Sequence, residues 1–217
     1  MIPVGPQLVG TSDDMAEEST PKPPLRLKPA VVVDTETTGL DPKENEILEL
    51  AIVGLDGDVL LHTKVKPVRI ETANERALEI NNYNEADWAD APTFDEIKDK
   101  VVELLENRIF IGQNPQFDRN FLVEALDRVG VEKAYRKVDY HTIDTITLAW
   151  EHLAPCGLNR LNLEAICEFL GIPLDREKRH GALADAQATR TVYLMILRAT
   201  EEQRMAWRQR AKDLGEK

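Results

Sequence analysis

The chain has 217 residues, 42% of them hydrophobic, and its 27 Lys+Arg against 39 Asp+Glu give a formal net charge of -12. That length fits one globular domain with a tail, and the apolar share excludes wholesale disorder. No run approaches the ~18 apolar residues of a membrane span. Met1-Ile2-Pro3-Val4 lacks the basic flank and apolar stretch of a secretory signal, and the two cysteines, Cys156 and Cys167, cannot form a disulfide framework, so reduced thiols in a cytoplasmic protein are expected.

Residues 1–29 hold six of the twelve prolines together with Ser, Thr and charge, and read as a flexible arm ahead of a domain over 30–199 and a charged helical tail over 200–217. The β-branched run Ala30-Val31-Val32-Val33 is the pattern of a strand buried on both faces. Glu46 to Leu55 and Val59 to Val65 are two further strands, joined by a tight turn at Asp56-Gly57-Asp58. Thr93 and Glu96 form a capping box for a helix to Glu106, with Phe94, Ile97, Val101, Leu104 and Leu105 at helical spacing. A strand Ile109-Phe110-Ile111, a helix from about Phe117 with Gly130 as its stop, and a strand Val138 to Ile143 follow. Helices then fit Thr145–Leu153, Leu163–Leu170 and Ala184–Leu197. This order predicts an α/β fold whose mixed sheet joins an antiparallel meander to parallel crossovers.

The charge argues at first against nucleic acid, whose partners are usually basic. Its distribution qualifies that. Residues 31–107 carry 7 basic against 19 acidic side chains, so the whole excess lies there, and the remainder sums to zero.

Several acids violate the burial pattern. Asp34 follows three valines and Glu36 lies two residues on, so both point to one face of the strand end and Thr35 to the other. Like charges there repel and lose solvation, two penalties that a metal ion removes. Asp185 shares a helix face with Ala188, Val192 and Ile196, so it too needs a partner. Asp118 fits either a ligand or an ordinary first-turn acid favoured by the helix dipole. Four such acids suit a hard cation, Mg²⁺ or Mn²⁺, with oxygen ligands. His62, His141, His152 and His180 are scattered and the cysteines are eleven apart, so there is no zinc spacing. His180, five residues before Asp185, is either a general base leaning over the site from a loop opened by Gly181 or a solvent-exposed member of a basic segment.

In order, these residues form Val33-Asp34-Thr35-Glu36-Thr37-Thr38-Gly39-Leu40, Gly112-Gln113-Asn114-Pro115-Gln116-Phe117-Asp118 and His180-Gly181-Ala182-Leu183-Ala184-Asp185-Ala186. Together they resemble the three motifs of the DnaQ-like (DEDDh) 3′→5′ exonucleases, a superfamily that includes the proofreading epsilon subunit of DNA polymerase III, ribonuclease T and oligoribonuclease. The resemblance spans about Ala30 to Leu197. It implies a ribonuclease H-like fold with a five-stranded mixed sheet flanked by helices. It implies two Mg²⁺ ions, with Mn²⁺ able to substitute, on Asp34, Glu36, Asp118 and Asp185, and His180 as general base.

By the same resemblance Thr35, Thr37, Thr38, Gly39, Leu40, Asn82, Tyr83, Asn114 and Phe117 lie against the substrate. Leu40 is either an apolar wedge against a base or a leucine filling the local core. Two positions depart from the family pattern: Gln113 stands where many relatives have histidine, and Asn82 where glycine is common. Asp144 matches a recurrent structural acid and suits a helix cap. The implied activity is release of nucleoside 5′-monophosphates from the 3′ end of single-stranded DNA or RNA, DNA favoured, with a polymerase or replication protein as an expected partner. An exoribonuclease and an inactive end-binding module are the alternatives. The acidic balance predicts a short footprint and weak, non-processive binding. The Arg198 to Lys217 stretch with Trp207 is either a strand guide or a solvated helix end.

Overall fold

Five strands form one sheet: β1 (Ala30–Thr37), β2 (Ile47–Gly54), β3 (Val59–Lys64), β4 (Ile109–Gly112) and β5 (Thr142–Asp144), in the order β3-β2-β1-β4-β5. The coordinates are a computed structural model that describes residues 28–174 and 181–215. The arm up to residue 27 and the candidate base His180 lie outside the described residues. β1, β2 and β3 pair antiparallel, while β4 and β5 run parallel to β1. The α/β fold with a mixed five-stranded sheet is therefore as expected.

Nine α-helices occur among the described residues: α1 (Glu75–Ile80), α2 (Glu85–Trp88), α3 (Phe94–Leu105), α4 (Pro115–Arg128), α5 (Ala134–Lys137), α6 (Thr145–His152), α7 (Leu163–Leu170), α8 (Ala182–Arg198) and α9 (Glu201–Gly215). None of them is long and apolar enough to cross a membrane.

Period-2 geometry in β1 divides the core. Val31 and Val33 pack with Leu50, Ile52, Leu105, Phe121 and Leu122 beneath α3 and α4. Val32 packs on the other face with Ala51, Val53, Ala182 and Ala186, under α8. Ala182 and Ala186 are fully buried, and such small side chains let a helix lie close to a sheet. A third cluster, with Leu153, Ile166, Cys167, Val192 and Ile196 buried, joins α6, α7 and α8. Cys167 is the core thiol expected, its acidity suppressed to about 12 first by burial and then by the charge of Asp185. Trp207 of α9 packs against this cluster, so its indole ring serves cohesion of the fold.

Three expectations change. The strand expected from Val138 begins only at Thr142, because Asp139 turns the chain: its Oδ1 accepts from the His141 backbone N–H at 3.0 Å and contacts His141 Nδ1 at 2.7 Å, while Lys28 Nζ donates to its Oδ2 at 2.6 Å. Helix α4 begins at Pro115, two residues before Phe117. Asn114 takes the left-handed conformation at φ 62°, and proline suits a first helical position whose N–H has no intrahelical acceptor. Helices α1 and α2 lie in a stretch without helical periodicity. Asn74 and Asn84 cap them, accepting from the N–H groups of Ala77 and Asp87.

Asp144 is the structural acid expected. Its Oδ1 accepts from Ile146 N at 2.9 Å, capping α6, and from Asn114 N at 3.1 Å, fixing the loop ahead of α4. Asp144→Ala should cost about 1–2 kcal/mol, as loss of a strong N-cap does, read as a lower urea midpoint at unchanged m-value. An unchanged midpoint would mean water replaces the carboxylate at no cost.

Candidate active site

β1 carries its acids to the end of a buried strand, and two helices meet it there. Asp34 and Glu36 share the α8 face, and α8 brings Asp185 to them: ligand oxygens of Asp34, Glu36 and Asp185 all lie within 4.8 Å of one another. Asp118, 4% exposed in the first turn of α4, reaches the same strand end from the side of Thr35. Its Oδ1 accepts from Thr35 N at 2.9 Å and from Thr35 Oγ1 at 2.7 Å. Sequence-derived face assignment therefore holds on both sides of the strand.

The electrostatics are those of crowded, desolvated carboxylates. Burial first, then the charges of Asp118, Asp185, Glu36 and Glu49, push Asp34 well above the carboxylate range. Burial, then Asp185, Glu49 and Asp118, push Glu36 to about 8. Asp118 rises to about 7 through burial, against the pull of its two hydrogen bonds from Thr35. Such a set resists ionisation by itself and gains a favourable charged form from a cation. The donors fit a hard divalent ion: all are carboxylate oxygens, and three converge within one coordination sphere's reach.

Among the residues expected at the substrate, the threonines turn inward. Thr37 Oγ1 donates to the Gly39 carbonyl at 2.6 Å, and Thr38 Oγ1 accepts from Glu46 N at 2.9 Å. At Gly39 a Cβ would stand 2.3–2.8 Å from the Asn45 amide. That amide ties Asp41 N at 3.0 Å to the Thr72 carbonyl at 2.8 Å, so glycine is needed for its close approach. Leu40, 84% exposed, fills no local core.

The α1–α2 segment is pinned to this loop, Asn74 N reaching the Thr38 carbonyl at 2.7 Å and Asn81 Nδ2 the Thr37 carbonyl at 2.9 Å. Asn82, where relatives favour glycine, takes the same left-handed region at φ 48°, which asparagine tolerates. Tyr83 packs on Trp88 at 5.1 Å, and Phe117 on Phe121 at 4.9 Å. Gln113 is locked internally, donating to the Leu161 carbonyl at 2.8 Å and accepting from Thr145 Oγ1 at 2.6 Å.

Glu49 on β2 is a further acid at this site, outside the set read from the sequence. The signal is present, a lone carboxylate in Ile47-Leu48-Glu49-Leu50-Ala51-Ile52-Val53, the same violation that marks Asp34.

An exonuclease family model (RNase T) matches residues 31–193. The chain belongs to this exonuclease family. Within it, a PolC-type DNA polymerase III of Thermotoga petrophila is 32% identical over 173 residues, 77% of this chain. The chain spans only 12% of that polymerase's length. A DNA polymerase III epsilon subunit of Buchnera aphidicola is 30% identical over 177 residues, covering 76% of this chain and 69% of the relative. A ribonuclease T, also from Buchnera aphidicola, is 28% identical over 185 residues, covering 77% and 82%. The exonuclease fold extends to E. coli exonuclease I in complex with a dA16 oligonucleotide, with TM-score 0.64 and 16% identity over 83% of this chain and 42% of that one.

Thr35 is the residue through which this exonuclease domain orients Asp118. Thr35→Val removes the hydroxyl donor and keeps the backbone one. If Asp118 is a metal ligand, as the motif resemblance implies, nuclease activity should fall roughly 10–100-fold, the usual penalty for losing an outer hydrogen bond to such a ligand. Steady-state turnover of the folded variant tests this, and full activity would show that the backbone N–H alone suffices.

Proposed function

We propose that the chain is a metal-dependent 3′→5′ exonuclease that releases nucleoside 5′-monophosphates from single-stranded nucleic acid, with DNA favoured. The observation that carries this reading is the convergence of Asp34, Glu36 and Asp185 within 4.8 Å at the end of a buried strand. Asp34, Glu36 and Asp185 would hold one Mg²⁺, and Asp34 with Asp118 a second, Mn²⁺ being able to substitute. When bound, such ions supply Lewis acidity to the scissile phosphate and offset the charge that develops on its oxygens. His180, the general base that the motif resemblance implies, would take the proton of the attacking water.

The loop Thr37–Leu40 would run under the terminal nucleotide. Because the hydroxyls of Thr37 and Thr38 are engaged internally, recognition there falls to backbone groups, with the exposed Leu40 as the apolar contact to a base. Asn82, Tyr83, Asn114 and Phe117 complete the proposed substrate contacts. A short, metal-anchored grip suits a chain with a net charge of -12. Glu71, Glu75, Glu79, Asp87 and Asp90 are all exposed and would keep longer strands off the outer surface. This reading assigns the protein to the cytoplasm.

The epsilon and PolC-type relatives favour DNA and a polymerase as partner. The ribonuclease T relative supports the second reading, an exoribonuclease acting on RNA 3′ ends. Product analysis on matched single-stranded DNA and RNA, with duplex and mismatched DNA alongside, tests both. Monophosphates released faster from DNA support the first reading, and faster RNA turnover replaces it with the second. No release from any substrate in Mg²⁺ or Mn²⁺ would leave an inactive end-binding module.

A further inference from the structure

Strand β2 carries one charged side chain, Glu49, in an otherwise apolar segment. Antiparallel register sets Glu49 directly across from Glu36 on β1, and directly opposed residues share a face. Two rows thus cross the α8 face of the sheet. One runs Glu36, Glu49, Lys64, and the other runs Asp34, Ala51, His62. Opposed like charges destabilise a strand pair, so Glu49 facing Glu36 is a cost that sheet formation does not explain.

Its neighbours sharpen the point. Lys64, directly opposite on β3, would be the ordinary neutralising partner. Its Nζ instead lies 3.9 Å from the centroid of the Trp88 ring and 3.4 Å from the Asp87 carbonyl. The diagonal residue, His62, leans past the small Ala51, and its Nε2 meets Glu49 Oε1 at 2.8 Å. The Glu49 side chain is 16% exposed, sheltered enough for its field to reach inward. Glu49 thus stands directly beside Glu36 and one diagonal step from Asp34 on the same face.

We propose that Glu49, oriented by His62, is a positioning residue of the metal centre, a fifth carboxylate whose charge raises the affinity of the Asp34–Glu36–Asp185 cluster for a divalent cation. It acts through Glu36, touching neither substrate nor reacting atoms. The inference rests on the metal-dependent reading of the site.

Glu49→Gln is the deciding variant, because the amide keeps the size and can still hydrogen-bond His62 while the charge is lost. Calorimetric titration of the metal-stripped protein with Mn²⁺ should show binding weakened about 10–100-fold, with turnover at saturating metal within about 3-fold of wild type. Glu49→Asp, which keeps the charge, should bind Mn²⁺ within about 3-fold of wild type. Unchanged Mn²⁺ affinity in Glu49→Gln overturns the proposal, and so does an equal loss in both variants, which would assign the effect to packing. Nuclease assay of the wild-type chain separates the two levels. An inactive wild type whose Mn²⁺ affinity depends on Glu49 refutes the exonuclease reading alone, and an active one whose affinity ignores Glu49 refutes this inference alone.

Discussion

Asp185→Asn should leave the fold intact and lower nuclease turnover by roughly 10²–10³-fold or more. Asparagine reproduces the shape of the side chain but removes one of three anionic groups whose oxygens lie within 4.8 Å of one another. Removing an outer hydrogen-bonding partner of a metal ligand already costs about 10–100-fold, so loss of a ligand charge sets that range as a floor. The measurement is turnover of a 5′-labelled oligonucleotide in Mg²⁺, with circular dichroism to establish folding. Because the substitution also relieves repulsion among buried carboxylates, the metal-free variant should melt no lower than wild type at pH 8. A folded Asp185→Asn protein with wild-type turnover would remove this acid from the chemistry.

The second large effect is on stability, and its sign follows from the same crowding. Folding holds Glu36 at about 8 and Asp118 at about 7, and Asp34 well above the carboxylate range, against roughly 4 for carboxyls in the unfolded chain. The folded state thus binds protons that the unfolded state has released. The resulting stabilisation is fully present below about pH 4 and is lost as pH rises through the folded values near 7 and 8. In EDTA the melting temperature should fall by roughly 10–25 °C between pH 5 and pH 8.5, taking about 1.4 kcal/mol for each pH unit between folded and unfolded values and about 2–4 °C per kcal/mol for a chain of this size. Mg²⁺ should oppose the fall most strongly at the alkaline end, where the acids are ionised. A 100-fold excess over its dissociation constant contributes about 2.7 kcal/mol. Glu36→Gln should flatten the EDTA profile, separating the cluster from general repulsion in an acidic protein. A flat profile in the wild-type protein would mean the carboxylates are better solvated than their burial suggests.

Much of this architecture was legible wherever local pattern and tertiary role agree. The valines before Asp34 mark a doubly buried strand, Thr93 and Glu96 mark a helix start, and Leu163–Leu170 shows a buried stripe that Gly171 ends. Glu96 indeed reaches back, its Oε2 accepting from Thr93 N at 2.7 Å and from Thr93 Oγ1 at 2.8 Å. Asp34, Glu36 and Asp185 stand out because each interrupts an apolar pattern that the fold obeys. Helices α1 and α2 were hidden because they are too short for periodicity and are held by contacts far away in sequence. Bonds from Asn74 and Asn81 to the Thr38 and Thr37 carbonyls hold α1, and Trp88 Nε1 donating to the Leu48 carbonyl holds α2. Glu49 interrupts its strand as plainly as Asp34 does. Its relation to Glu36, however, depends on strand register, which composition and spacing do not fix.

The delivery of the acids by three separate elements, β1, α4 and α8, bears on when the proposed site can form during synthesis. Asp34 and Glu36 emerge early, Asp118 arrives with α4, and Asp185 is supplied only by α8, after most of the chain. Contacts of such long sequence separation close late. A nascent chain on the ribosome therefore lacks the convergent acid trio, although its first strands can already pair. On the proposed reading the metal site forms only when α8 docks, so nuclease activity would be withheld until the domain is nearly complete.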